Sequence, residues 1–153
     1  MKKIRAKILY LPGYDREAWG DMAYAHDTDS AFDLRACADV TINPMERAVV
    51  YCGFKMQLEP GFGWTIRNRS STGFKLGLSM TNGIGTIDNG YLGEVRMEFI
   101  NLGKEPVHIT RGTRIAQAVI EPIYQADFEV IASEDDFAPT ARGTGGFGSS
   151  GSK

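Results

Sequence analysis

The chain has 153 residues, which suits a single domain, and 42% of them are hydrophobic, enough to build a core. Its formal net charge of −2 argues against nonspecific binding to nucleic acid. No apolar run approaches the roughly 20 residues that a membrane span requires, and the apolar stretch after the basic N-terminus is too short for a signal peptide. We therefore expect no nucleic-acid partner, no membrane partner and a cytoplasmic location.

The cysteines and histidines argue against two further classes of enzyme. Cys37 and Cys52 form no CxxC pair, and we expect reduced, buried thiols, although the sequence leaves a disulfide open. His26 and His108 lie far apart and lack the spacing of metal ligands. Zinc chemistry and Ser–His hydrolysis are therefore poor candidates.

Period-two alternation of apolar and polar residues predicts half-buried strands in three segments, 54–59, 64–69 and 94–99. Four more segments are β-rich: 47–52, 107–109, 115–120 and 128–131. Turn signals rich in Gly, Asn and Pro separate them. Short strands at close spacing predict an all-β fold, a distorted jelly roll or β-barrel.

Only one short helix and one low-complexity segment interrupt this pattern. The helix could start at Ser70 or Ser71, both good N-caps, and run to about Leu76. The end of the chain is rich in Gly and Ser and follows an acidic linker. We predict a β domain over residues 1–133, with a flexible linker and mobile C-terminal arm over 134–153.

Two segments could bind phosphate or a metal ion. Asp33, in the strand-like run DSAFDLRA, could hold a metal-bound water, or it could form a surface ion pair with Arg35. Arg69, Ser70 and Ser71 could open the short helix, where N–H groups and hydroxyls could cradle a phosphate. The alternative for the second segment is a capped helix with an exposed arginine.

The segment NGIGTIDNGYLGE looks like a tight hairpin whose backbone groups could read the edge of a base. Asp88 follows the apolar Ile87 and could be held as a general base, while Tyr91 could stack on a sugar. The alternative is an ordinary hairpin with Asp88 and Asn89 as turn formers. Gln117, at the start of a late strand, could orient a phosphate or a water, or simply be a polar strand residue.

The C-terminal tail carries Arg142 and Phe147 among its glycines. Arginine can grip a phosphate with two parallel hydrogen bonds, and phenylalanine can cover the face of a base. The tail could therefore be a flap that orders over a nucleotide. A disordered linker is the alternative that composition alone favours.

Five motifs occur in order along the chain: DSAFDLRA, RSSTGFKLGL, NGIGTIDNGYLGE, RGTRIAQ and RGTGGFGSSG. Together they resemble the five motifs of the trimeric dUTPase family, over about residues 29–151. The resemblance implies a jelly-roll-like subunit in a homotrimer with shared active sites. The implied reaction converts dUTP and water to dUMP and pyrophosphate with Mg²⁺ on the triphosphate, which keeps uracil out of DNA and supplies dUMP for dTMP synthesis.

The resemblance also implies roles for individual residues. Asp88 would be the base that activates water for in-line attack on the α-phosphate, Gln117 a second catalytic residue, and Asp33 the holder of a metal-coordinated water. Tyr91 would pack on deoxyribose and Phe147 over uracil. The implied substrate-binding residues are Arg69, Ser70, Ser71, Asn82, Gly85, Ile87, Tyr91, Arg142, Phe147, Gly148 and Ser149.

Three other readings remain open on the sequence. The first is dCTP deaminase, which shares the fold and the trimer; Glu98 would match its catalytic glutamate, but Phe74 stands where its pattern needs a second arginine. The second is a non-catalytic nucleotide-binding or regulatory protein, and the third a structural β-barrel without a ligand. Residues 13–28 look longer than usual for the dUTPase family, so this segment, around Trp19, is either a surface loop or the first place to seek an extra protein partner.

Overall fold

The computed structural model of the chain describes residues 3–146, which fold mainly into short antiparallel strands. The strands are β1 (Ala6–Tyr10), β2 (Phe32–Arg35), β3 (Val40–Ile42), β4 (Arg47–Tyr51), β5 (Phe54–Leu58), β6 (Phe62–Asn68), β7 (Leu78–Met80), β8 (Gly85–Ile87), β9 (Arg96–Asn101), β10 (Val107–Ile109) and β11 (Arg114–Pro122). The helices are α1 (Arg16–Trp19) and α2 (Ser70–Phe74), with a 3₁₀ turn at Glu134–Asp136. The predicted all-β class is confirmed. Within the described residues, no helix has the length and apolarity to cross a membrane.

The alternation of apolar and polar residues decides which side of each strand enters the core. In β5, Phe54, Met56 and Leu58 are buried, whereas Gln57 between them is exposed. The same rule applies to β6 and β9, because successive side chains of a strand point to opposite faces. The three strands predicted from alternation are therefore confirmed.

Four sheets enclose a single core. Their strand orders are β1-β5, β10-β3, β2-β11-β6-β8 and β4-β9-β7. Aromatic side chains from different strands meet inside: the ring of Trp64 lies 6.5 Å from that of Phe54 and 6.4 Å from that of Phe32. Because the strands of residues 3–146 are divided among separate sheets, they do not close into one continuous barrel.

Two predictions about local structure are wrong. No strand forms over residues 128–131, where the side chains of Phe128 and Val130 are 88% and 96% exposed. The last strand of the described region ends at Pro122, and no strand within residues 3–146 pairs with the residues that follow it. The tight hairpin expected over NGIGTIDNGYLGE is also absent, because the one strand within it, β8, pairs with β6 and not with another part of the segment. The segment instead leaves the β4-β9-β7 sheet after β7, adds β8 to the other sheet and returns to β9.

The predicted helix exists but begins differently. Helix α2 starts at Ser70, so neither Ser70 nor Ser71 is the N-cap; that position belongs to Arg69, whose side chain makes no capping hydrogen bond. The helix ends at Phe74 rather than at Leu76. A tertiary contact therefore has to hold it in place, since five residues are too few for a helix to be stable alone.

The long segment before the first motif packs against the body of the protein. The Trp19 ring lies 5.1 Å from the guanidinium carbon of Arg111, and Arg111 Nη1 lies 3.3 Å from Asp15 Oδ2. A Cβ added to Gly112 would come within 3.0 Å of the Trp19 indole nitrogen, so the ring and the turn fit closely. The segment is thus folded onto the turn before β11, and an extra protein partner remains a prediction.

Candidate active site

The central sheet aligns three polar residues of distant sequence. Asp33 of β2 lies opposite Gln117 of β11, and Gln117 lies opposite Arg67 of β6. Paired residues of antiparallel strands point to the same face. The neighbouring positions, such as Leu34 and Ala116, face the core and are fully buried. The register therefore presents a polar row on the outer face, and it joins the first and fourth motifs to β6, the strand that leads into the second motif.

Two arginines clamp the carboxylate of Asp33. Arg69 Nε lies 2.8 Å from Oδ1, and Arg114 Nη1 lies 3.1 Å from Oδ2. Arg69 also donates from Nη1 to the carbonyl oxygen of Arg114 at 2.9 Å. The alternative ion pair between Asp33 and Arg35 is not formed, and Arg35 instead donates to the carbonyl oxygen of Gly112 at 2.8 Å.

Arg114 is the member of this cluster that sequence reasoning did not assign a role. The motif RGTRIAQ contains it, three positions before Gln117. The sequence offered no reason to prefer it over the other arginine of the motif. Its contact with Asp33 depends on the irregular register between Arg114 and Ala116, where β11 shifts against β2.

A buried hydrogen bond fixes α2 beside this cluster. The Thr72 hydroxyl, on a side chain that is 1% exposed, donates to the carbonyl oxygen of Ile115 at 2.8 Å. Ile115 is skipped by the registers of β11 with both of its neighbours, so its carbonyl lacks a ladder partner. This contact brings Ser70 and Ser71, at the start of the helix, close to the beginning of β11.

Gln117 is held in the same neighbourhood. Its Nε2 donates to the carbonyl oxygen of Asn68 at 3.0 Å. Because Asn68 is the last residue of β6 and directly precedes Arg69, this bond ties the fourth motif to the second. The amide oxygen of Gln117 has no hydrogen-bond partner within residues 3–146 and can accept from a water or another donor.

Asp88 and Tyr91 lie in a turn that follows β8. Asp88 is exposed, and within residues 3–146 its carboxylate makes no hydrogen bond or ion pair. The Tyr91 N–H donates to the carbonyl oxygen of Asp88 at 3.0 Å, and its hydroxyl donates to that of Glu94 at 3.0 Å. A Cβ added at Gly93 would overlap the Tyr91 hydroxyl, so the tyrosine position requires glycine there.

Asn82 and Gly85 lie at the other end of β8. Asn82 is exposed in the connection from β7, and the Ile84 N–H donates to its carbonyl oxygen at 2.7 Å. Gly85 is buried opposite Ile66 of β6. A Cβ added there would lie 3.4 Å from the methyl carbon of Met80 and 3.5 Å from Ile66 Cβ. The connection thus lies against the core, with backbone groups exposed beyond it.

The predicted site residues form two groups, one around Arg69 and Gln117 and the other around Asp88 and Tyr91. These groups are too far apart to meet in one chain. Ile87 pairs with Trp64, whereas Gln117 pairs with Arg67, three residues further along β6. Three residues of strand and two strand spacings put Ile87 about 14 Å from Gln117. Asp88 lies beyond Ile87, in the direction away from Gln117. A single chain therefore does not bring Asp88 and Gln117 to one substrate atom.

Arg142, the one predicted arm residue that lies within the described region, is brought to neither group. Arg142 is exposed, and its Nε donates to the carbonyl oxygen of Gly145 at 2.8 Å, within its own turn. Phe147, Gly148 and Ser149 lie outside the described residues. Their expected roles remain predictions.

Few side chains among the described residues could help to hold a metal ion. Residues 3–146 contain no group of three or more His, Cys, Asp or Glu side chains that could enclose an ion. Asp33 offers one carboxylate, and a carboxylate with two arginine contacts still has free lone pairs. That matches Mg²⁺, which is commonly held by substrate phosphates and water with one or two carboxylates.

Glu98, the residue that would match a deaminase glutamate, lies elsewhere. It sits on β9 opposite Val49, and its carboxylate is 3.8 Å from Nη1 of Arg47. This is the strand ion pair expected of a structural residue. It gives no support to deaminase chemistry.

Comparison with protein families and known sequences agrees with the motifs. The family model for dUTPase matches residues 17–151. The deoxyuridine 5'-triphosphate nucleotidohydrolase of Clostridium kluyveri is 43% identical over 128 residues, which cover 84% of this chain and 87% of that protein. The protein of the same name from Desulfotalea psychrophila is 38% identical over 149 residues, covering 96% and 97%.

Solved structures show the same fold at lower identity. The dUTPase of Staphylococcus bacteriophage 80alpha, with dUpNHpp, superposes with a TM-score of 0.84 at 23% identity, covering 96% of this chain and 98% of that chain. A mutant dUTPase from phage phi11 of S. aureus, described with a structural Mg(II) ion, has a TM-score of 0.75 at 20% identity, covering 86% and 99%.

Proposed function

The chain belongs to the dUTPase family and is a dUTP-hydrolysing enzyme, and from that premise we propose how its residues perform the reaction. Asp88 takes a proton from the water that attacks the α-phosphorus of dUTP in line, and dUMP and pyrophosphate leave. The proposal rests on the observation that the polar residues form two separate groups. One group, around Arg69 and Gln117, suits phosphates, and the other, around Asp88 and Tyr91, suits a base and a sugar.

In this proposal the first group binds the triphosphate. Arg69 and the hydroxyl groups of Ser70 and Ser71 face phosphate oxygens, with Gln117 near the α-phosphate. A triphosphate is strongly anionic, and donors that are already in position stabilise the transition state by about 3–4 kcal/mol each. Support comes from the Arg69–Asp33 contact at 2.8 Å, which keeps the guanidinium oriented before the substrate arrives.

The second group supplies the base and the selectivity. Asp88 is exposed, so a water can reach its carboxylate, and a positioned base contributes roughly 10²–10⁴-fold. Tyr91 packs on the deoxyribose and excludes a 2′-hydroxyl. Backbone groups between Asn82 and Ile87, with Gly85 among them, read uracil, and cytosine would leave them unpaired, a penalty of up to about 10⁴-fold.

Mg²⁺ is the proposed cofactor. Bound to the triphosphate, it would neutralise charge and orient the phosphates for displacement. Asp33 would hold a water of its coordination shell. The free lone pairs of the clamped carboxylate support this outer position.

We further propose that the active sites are shared within a homotrimer. The distance of about 14 Å between Ile87 and Gln117 in one chain supports a site built from different copies. The chain after β11 also exposes large apolar side chains, which usually mark a contact with another molecule. These side chains are those of Tyr124, Phe128, Val130 and Phe137. Arg142, Phe147, Gly148 and Ser149 would close the site as a lid, and the cytoplasmic location stays a prediction.

Mixing two inactive variants tests the shared site. Asp88→Asn and Arg69→Ala should each lose most turnover of dUTP. When equal amounts are unfolded and refolded together, random assembly leaves about a quarter of the sites with both residues intact, if the residues come from different copies. We therefore expect pyrophosphate release to recover to about a quarter of the unmutated rate.

The matched control mixes Arg69→Ala with Gln117→Ala. Both residues belong to the same group, so no site regains both, and turnover should stay at the level of the single variants. No recovery in the first mixture, with hetero-oligomers shown by mass spectrometry, would contradict shared sites. Near-normal turnover by Asp88→Asn alone would remove Asp88 as the base.

A further inference from the structure

The residue after the proposed base has a side chain that ties its turn to a neighbouring strand. Asn89 Oδ1 accepts a hydrogen bond from the Leu58 N–H at 3.0 Å, and its Nδ2 donates to the carbonyl oxygen of Glu59 at 3.0 Å. We propose that Asn89 is a positioning residue for Asp88. This inference rests on the proposed function, in which Asp88 is the base.

Asp88 needs such support because its own surroundings restrain it weakly. Strand β8 pairs with β6 over only three residues and ends at Ile87. Beyond that point, the one backbone hydrogen bond that Asp88 makes within residues 3–146 is the one that its carbonyl accepts from the Tyr91 N–H. Its carboxylate is exposed and makes no contact in the same region that would orient it.

The amide of Asn89 replaces the strand pairing that stops at Ile87. The N–H of Leu58, the last residue of β5, and the carbonyl of Glu59, which follows it, are both satisfied by one side chain, which therefore bonds like a residue of an adjacent strand. The other edge of β5 pairs with β1, and the Leu58 side chain is 4% exposed, so the anchor is a rigid part of the core.

Asp88 is thus held from both sides. Ile87 before it is paired with Trp64, and Asn89 after it is fixed to β5. With both neighbours fixed, the Asp88 backbone has little freedom to move. A displacement of about 1 Å in a reacting group can cost about 10²-fold in rate.

The test compares turnover and binding in Asn89→Ala. We expect kcat for dUTP to fall about ten- to a hundredfold, while the KM and the affinity for dUpNHpp change little, because the phosphate-binding group is untouched. Asn43→Ala is the matched control: its amide donates to Glu46 Oε2 at 2.8 Å in a remote turn, so the same truncation should leave kcat unchanged.

Repeating the substitution in the Asp88→Asn protein distinguishes a positioning role of Asn89 from a general structural role. If Asn89 acts through Asp88, then Asn89→Ala should lower kcat no further in a protein that already carries Asp88→Asn. An equal fall in both backgrounds, or a normal kcat for Asn89→Ala, would overturn the proposal. If Asp88→Asn alone turned over normally, the proposed function would fail instead.

A milder variant covers the case in which Asn89→Ala does not fold. Asn89→Asp keeps the acceptor for the Leu58 N–H, but it replaces the donor to Glu59 by an oxygen and adds a negative charge next to Asp88. We expect it to fold, as judged by circular dichroism and by binding of dUpNHpp, and to lose part of kcat. An unchanged kcat in this variant would also count against the proposal.

Discussion

The hydrogen bond from Thr72 to Ile115 offers the sharpest test of how the fold supports the site. The Thr72 side chain is 1% exposed, and valine has nearly the same shape without the hydroxyl. Thr72→Val therefore leaves the Ile115 carbonyl buried without its donor and changes the packing little. An unsatisfied buried polar group costs about 1–3 kcal/mol, so we expect unfolding to become easier by that amount.

Denaturant unfolding at fixed protein concentration measures this effect. The midpoint should fall with an unchanged m-value, and the melting temperature should drop by about 2–4 °C for each kcal/mol. Thr72→Ser keeps the hydroxyl and should recover much of the loss. Thr86→Val, at an exposed strand position, makes the same chemical change and should stay within about 0.5 kcal/mol of the unmutated protein.

The same variant links stability to activity. Helix α2 carries Ser70 and follows Arg69, so loosening its attachment to β11 should displace both groups from the phosphates. We expect kcat/KM for dUTP to fall about tenfold at temperatures where the protein stays folded. A Thr72→Val protein with normal stability would show that the hydrogen bond does not hold the helix. Normal stability and normal kcat/KM together would refute the whole line of reasoning.

Four further outcomes are expected. Burial raises the pKa of the Cys52 thiol well above its usual range, and partial burial also raises the pKa of Cys37. Both thiols should therefore react with iodoacetamide more slowly at pH 8 than free cysteine does, and equal rates would contradict the raised pKa values. Because folding raises these two pKa values, the protonated thiols contribute fully to stability below the unfolded pKa of about 8.5, and this contribution is lost as the pH rises through the folded pKa. Urea titrations at several pH values can detect the loss. Gly93→Ala should push the Tyr91 ring aside and reduce the preference for dUTP over UTP, measured as a ratio of kcat/KM values. Deleting residues 142–153 should lower turnover strongly while the far-ultraviolet circular dichroism and the melting temperature stay close to those of the full chain.

The positions of strands could be predicted from the sequence where one face of the strand packs against the core. In β5 and β9 the buried residues follow each other at every second position, because the geometry of a strand requires it. Residues 128–131 show the limit of that signal. They have the composition of a strand, yet pairing needs a neighbouring strand, and residues 3–146 of the chain place none beside them.

The candidate site was readable only as a set of motifs. Asp88, Tyr91 and Gln117 stood out because their order along the chain resembles a family. Nothing in that order indicated that Asp88 and Gln117 lie at different places in one subunit, since the separation follows from which residues of β6 face β8 and β11. The role of Arg114 beside Asp33 was hidden for the same reason.

The sequence by itself determined the all-β class, the family and the chemical types of the site residues, because these depend on local alternation and on side-chain chemistry. Tertiary structure alone decided how those residues are grouped. Hydrogen bonds between distant segments, such as Thr72 with Ile115 and Asn89 with Leu58, set the distances. Such contacts arise from the register of strands far apart in the chain, and no local pattern of residues specifies that register.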